Sequence, residues 1–161
     1  MRRALPWFAA AALLVLADQL VKVLVAGSLR PGELREVTGF FNLVLVYNRG
    51  AAFSFLADAP GWQAPVLVAF ALVATAVISY FIVRNTGKKL FCTGLMLILG
   101  GAVGNVIDRL RFGHVVDFLD FHAFGWHWPA FNVADSGITV GAILLILESF
   151  LQREKRTGAP S

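Results

Sequence analysis

The sequence predicts an all-α integral membrane protein with four transmembrane helices, and a small β-rich segment and an aromatic interfacial loop on the outer face. Three observations predict it. Of 161 residues, 58% are apolar and 15% charged, and the mean hydropathy is strongly positive, which is too oily for a soluble domain of this size. The apolar residues gather into four runs of about 18 to 22 residues, the length a helix needs to cross a bilayer. The basic residues stand in short groups beside those runs rather than in one patch, so the +4 net charge sets topology and no nucleic-acid partner is expected.

The first span is residues 5–26, preceded by Met1-Arg2-Arg3 and carrying Trp7 where an interfacial aromatic would sit. A cleavable signal peptide competes, because Val15-Leu16-Ala17 resembles a small-residue cleavage site. The apolar run continues through Leu20, Val21, Val23, Leu24 and Val25, which favours a span. Residues 27–62 break the hydrophobicity with Pro31, Gly32, Glu33, Arg35 and Glu36, then alternate from Phe41 to Tyr47, which predicts a small sheet on the outer membrane surface. The second span, 65–83, is about 28 Å long at 1.5 Å per residue and ends at Arg84-Asn85-Thr86-Gly87-Lys88-Lys89. The third is 90–107, followed by an outer-face segment, 108–133. The fourth is 134–151, before Gln152-Arg153-Glu154-Lys155-Arg156 and a tail with Gly158 and Pro160 that reads as disordered. The whole of 1–161 reads as one membrane-embedded domain without internal repeats.

Arg2 and Arg3, then Arg84, Lys88 and Lys89, then Arg153, Lys155 and Arg156 share one side of this layout. By the positive-inside rule that side is the cytoplasm and holds both termini. Nearly every acid falls on the other side. A single cysteine, Cys92, excludes a disulfide framework or a Cys-based metal cluster and reads as packing.

Several polar residues interrupt the oil. Asp18 lies roughly 20 Å into the first span, with Lys22 one turn on, placed both to pair with it and to snorkel outward. A structural ion pair, support of a site and a direct catalytic role all fit Asp18. Asn105, Asp108 and Arg109 follow an i, i+3, i+4 pattern on one face of the third helix, where interhelical hydrogen bonding and a site role fit equally. Gly100 and Gly104 form a small-xxx-small pair that admits another helix closely. Asn132 and Asp135 suit an N-cap and a first-turn acid. Capping leaves Asp117 unexplained, an acid between Val116 and Phe118 in an apolar loop.

Two carboxylates brought together at low dielectric cannot both ionise, so one keeps a proton while the other activates water. That is aspartic peptidase chemistry. There is no Gly-x-Ser-x-Gly or His-Glu-x-x-His motif, and His114, His122 and His127 lack metal-ligand spacing and read as interfacial hydrogen-bonders. The aromatic run Phe118, Phe121, Phe124, Trp126, Trp128 and Phe131 fits a lipid-facing wall or lid and equally a plain aromatic belt.

Five segments in order complete the reading: Asp18-Gln19-Leu20-Val21-Lys22; Asn48-Arg49-Gly50-Ala51-Ala52-Phe53-Ser54; Gly101-Ala102-Val103-Gly104-Asn105 through Asp108-Arg109; Gly113-His114-Val115-Val116-Asp117-Phe118; and Phe131-Asn132-Val133-Ala134-Asp135-Ser136. Together they resemble the successive motifs of bacterial lipoprotein signal peptidases (signal peptidase II), over about residues 5 to 151. The resemblance implies an aspartic endopeptidase of the bacterial inner membrane that cleaves diacylglyceryl-modified prolipoproteins just before the lipidated Cys. It implies Asp117 and Asp135 as the catalytic pair, with Asn105, Arg109, Asn132 and Ala134 around them. Asn48 and Gly50 would cradle substrate, and Asp18 and Lys22 would support the site. No metal or cofactor is implied; the partners are lipid-modified prolipoproteins and membrane lipids, and the enzyme is expected to act as a monomer. Two other readings compete: a proton-coupled transporter component relaying through Asp18 and Asp135, and a non-catalytic assembly subunit. The inner half offers only Glu148 to a relay, and a subunit gives no reason for Asp117.

Overall fold

The computed structural model describes residues 2–50 and 62–157, with side chains described to residue 153. Ala51-Ala52-Phe53-Ser54 and the tail from Gly158 lie outside the described residues. A short 3-10 turn, Arg2–Ala4, leads into helix α1, Leu5–Ser28, whose first turn holds Pro6, where the missing N–H costs nothing. The other helices are α2, Gln63–Arg84, α3, Lys89–Phe112, and α4, Val133–Thr157. All four are long and apolar enough to cross a membrane. Each overshoots its expected span by one to several residues, because a helix stops at a backbone signal rather than at the edge of the lipid. For α3 the signal is Gly113, left-handed at φ 73°, whose N–H returns to Arg109 O at 3.0 Å.

Helix α3 is the centre of the bundle and packs against each of the other three. Glycines set how close it comes. A Cβ on Gly100 would lie 2.9 Å from Ala11 O, and one on Gly104 would lie 2.8 Å from Asp18 Oδ2, so the small-xxx-small face receives α1. A Cβ on Gly101 would collide with Ala134 O, so the adjoining face receives α4.

At the other pole of the molecule a four-stranded antiparallel sheet covers one end of the bundle. It runs β1, Leu34–Thr38, β2, Phe41–Asn48, β3, Val115–Ala123, and β4, Trp126–His127, neighbours in that order. The hairpin of β1 and β2 answers the expectation for that segment. The stretch expected as an aromatic loop is instead largely β3 and β4, and Asp117 sits in mid-strand, paired in register with Val46. A strand covered on both faces loses the period of two that betrays a strand in sequence, and Val115 to Phe118 are all buried. Phe118, expected in a lipid-facing wall, is core: it is 1% exposed and clusters with Val25, Leu29, Leu45 and Val116, fastening the sheet to α1. Phe124, Trp126 and Trp128 remain exposed at the hairpin.

Candidate active site

The site forms where β3, the end of β2, the C-terminal end of α3 and the start of α4 converge. Asn132, fully buried, organises it. Its Oδ1 accepts the Asp135 N–H at 2.9 Å while Asp135 Oδ2 accepts the Asn132 N–H at 3.3 Å, a reciprocal cap at the start of α4. The capping expected from the sequence is therefore present. The same Asn132 donates from Nδ2 to Asp117 Oδ1 at 2.7 Å and to Asn105 Oδ1 at 3.2 Å. Asn105 in turn donates from Nδ2 to Asp135 Oδ1 at 2.7 Å. Two amides thus tie the two carboxylates into one chain. Asn48, at the end of β2, donates to the second oxygen of Asp117 at 3.0 Å and accepts the Gly50 N–H at 2.9 Å.

Asp117 and Asp135 line a common cavity of about 420 Å³. Asn48, Asn105 and Arg109 supply its polar wall, and the segment from Trp128 to Phe131 with Ile138 and Val140 its apolar one. Asp117 is 1% exposed, and burial, then the negative charge of Asp135, push its carboxyl up to about 7 against the pull of the Asn48 and Asn132 hydrogen bonds. Arg109 donates from Nη2 to Gly50 O at 2.8 Å, which pins the residue after Asn48-Arg49 to α3. Its buried Nε–H has no partner among the described residues.

Behind this cavity lies a layer, Asp18, Lys22 and Asp108, that does not line it. Lys22 Nζ stands 2.8 Å from Asp18 Oδ2, 2.8 Å from Asp108 Oδ2 and 3.1 Å from Asn105 Oδ1. The expectation that Lys22 snorkels outward is wrong: at 3% exposed it is buried, because three acceptors within reach replace the water it would seek. Asp18 accepts the Ala134 N–H at 2.9 Å, locking α4 to α1, and Ala134 is itself a fully buried packing residue. Asp108 accepts the Val116 N–H at 3.1 Å and Gln19 Nε2 at 2.7 Å, so it fixes the strand that carries Asp117. The sequence marks Asp108 only as part of the polar face of α3 and assigns Gln19 no role of its own. Its i, i+3 spacing to Lys22 on α1 is the signal that could have marked Gln19. Asp120, away from the cavity, accepts from Asn42 at 2.7 Å and meets His127 at 2.9 Å. Burial alone would raise its carboxyl, yet these hydrogen bonds hold it below the usual value.

The Signal peptidase (SPase) II sequence profile matches residues 10–151. The lipoprotein signal peptidase of Paraburkholderia phytofirmans is 61% identical over 143 residues, covering 89% of this chain and 83% of its own. That of Cupriavidus necator is 58% identical over 150 residues, covering 93% and 85%. A bacterial membrane enzyme solved by the in meso method at 2.3 Å resolution superposes with a TM-score of 0.84 at 29% identity, over 97% of this chain and 93% of that one.

Proposed function

The chain belongs to the signal peptidase II family, and from that premise we propose that it is an aspartic endopeptidase that removes the signal peptide of diacylglyceryl-modified prolipoproteins, cutting just before the lipidated Cys. The observation that carries the aspartic assignment is the pair of carboxylates on one cavity, with Asp117 raised to about 7 and the two linked through Asn132 and Asn105. Such a pair shares one proton near neutral pH and titrates as a unit. The ionised member takes a proton from water as that water attacks the scissile carbonyl carbon; the protonated member donates to the carbonyl oxygen. Collapse of the tetrahedral intermediate breaks the C–N bond, and the proton gained from water passes to the leaving amine.

Asn48 and the Asn132 amide hold Asp117 in place, and Asn105 does the same for Asp135, so neither carboxylate must reorganise during reaction. Arg109 places a positive charge on the cavity wall, and its carbonyl contact to Gly50 sets the strand end where the substrate backbone would lie. The apolar wall from Trp128 to Phe131 suits a signal peptide and acyl chains better than water. With the basic flanks cytoplasmic, the sheet and the cavity face outward, at the level where a lipid anchor would hold the substrate Cys.

The test is product identity. Protein reconstituted in liposomes should release, from a diacylglyceryl-modified precursor, a peptide ending at the residue before the Cys, as read by mass spectrometry. The unlipidated precursor should be cut far more slowly. Equal cutting of both, or cleavage elsewhere, would contradict the substrate assignment.

A further inference from the structure

On the side of the buried Lys22 layer away from the dyad, a second pocket of about 240 Å³ opens between α1, the C-terminal end of α3 and β2. It is separate from the cavity that holds Asp117 and Asp135. Its floor is Gln19, Lys22 and Asp108; its rim is Tyr47, Arg111 and His114. The rim is assembled by aromatic contact. The His114 ring lies 4.3 Å from Tyr47 and 5.9 Å from Phe112, and the Arg111 guanidinium sits 4.9 Å over the Phe112 ring. Arg49, two residues beyond Tyr47, is exposed just past the end of β2 and outside the pocket lining, with its charge felt at His114.

These cations stand at the sheet end of the bundle, the end where a membrane protein of this orientation carries few of them. Arg35 there is answered by Glu33 at 3.2 Å. Arg49 and Arg111 have no ion pair among the described residues. The acid at the floor offers them nothing, since both oxygens of Asp108 are already engaged by Lys22, Gln19 and the Val116 N–H. In formal charge, Asp18 and Asp108 around the single ammonium of Lys22 leave one negative charge, while Arg49 and Arg111 bring two positive ones. One monoanion closes the count. Where α1 meets the pocket, the lining residue Val23 is 64% exposed, and it continues an apolar strip through Leu20 and Leu16. An anion with attached hydrocarbon is therefore matched at both ends: guanidinium and aromatic groups for the head, an open apolar helix face for the tail.

We propose that this pocket binds an anionic phospholipid of the outer leaflet, its phosphodiester held by Arg111 and Arg49 at the Tyr47–His114 rim and an acyl chain lying along the Leu16–Leu20–Val23 face of α1. A phosphodiester suits the guanidinium donors and carries the required single charge. Binding there places the lipid directly over Lys22 and Asp108, the residues that position Asn105 and the Asp117 strand. The inference does not depend on which reaction the other cavity catalyses.

Native mass spectrometry of the purified full chain in detergent, titrated with phosphatidylglycerol or phosphatidylcholine of matched chains, tests it. The wild type should retain one phosphatidylglycerol in preference to phosphatidylcholine. The Arg49→Gln/Arg111→Gln variant, with unchanged circular dichroism, should bind that lipid about tenfold more weakly. If the double variant does not fold, the Arg111→Gln single variant and the wild-type headgroup preference carry the test. Equal retention of the two lipids, or undiminished phosphatidylglycerol on the folded variant, would overturn the proposal. Inorganic phosphate displacing the lipid at equal concentration would overturn its lipid assignment in favour of a soluble anion.

Discussion

Asn132 caps α4 with its Oδ1 and holds Asp117 with its Nδ2, so one side chain serves the fold and the site at once. Spacing along the chain makes only the cap legible; that Asn132 stands beside Asp117 is implied by the family resemblance alone. Asp117 itself was legible as an anomaly, an acid among Val115, Val116 and Phe118, and its burial has a measurable consequence. The folded protein holds that proton up to about 7, whereas the unfolded chain releases it near 3.8, the ordinary value. Between those values the unfolded state binds fewer protons, so stability falls as pH rises through the window. Melting temperature should therefore decline for the wild type relative to Asp117→Asn between about pH 4 and 7. The processing rate should likewise fall above about pH 7, where the shared proton is lost. A flat rate profile to pH 9, with parallel melting curves, would contradict the raised carboxyl. Lys22 was misjudged for a residue-scale reason: one acid at i+4 was visible, but Asp108 and Asn105, far along the chain, were not.

At the scale of elements, the four helices were readable from hydropathy alone, and the glycines on α3 foretold close packing without naming the partners. Gly104 now has one. An added methyl would sit 2.8 Å from Asp18 Oδ2 and 3.3 Å from the Ala134 Cβ, at the point where α1, α3 and α4 meet. Gly104→Ala should cost about 1–3 kcal/mol through overpacking and loosen the Asp18 bond to the Ala134 N–H, seen as a lower melting temperature in detergent. Strand β3 escaped the sequence reading because burial on both faces removed its alternation. Its hairpin with β4 turns through Phe124 and Gly125, both with positive φ, at 53° and 78°. Phenylalanine is poorly suited to that backbone, and the fully exposed Phe124 gains no packing in return. Phe124→Asn should relieve about 1 kcal/mol and raise the melting temperature in detergent; a fall would show that the ring supports the turn by a contact of its own.

At the scale of the molecule, the design is a helix bundle closed at one end by a sheet, with α3 contacting every other helix and gathering Asn105, Asp108 and Arg109 at the sheet end. Asn105, Asp108 and Arg109 leave α3 in three directions: to the dyad, to the Lys22 layer and to Gly50. The polar residues of an oily chain announced that a site exists, because lipid tolerates buried polar groups only when they are partnered. Which polar groups pair with which was less legible, since pairing across as many as 116 positions, as between Asp18 and Ala134, leaves no local trace. A proton relay is poorly served by this arrangement: the network ends at the sheet side, and Glu148 near the other end bonds only Gln152, one turn along, among the described residues.

The central claim is that Asp117 and Asp135 are the reacting pair, and the most direct measurement is processing of a lipid-modified precursor by Asp117→Asn and Asp135→Asn variants in reconstituted membranes. Each variant, folded by circular dichroism and melting cooperatively, should lose about 10²- to 10⁴-fold in rate. Processing at the wild-type rate by either folded variant would contradict the dyad.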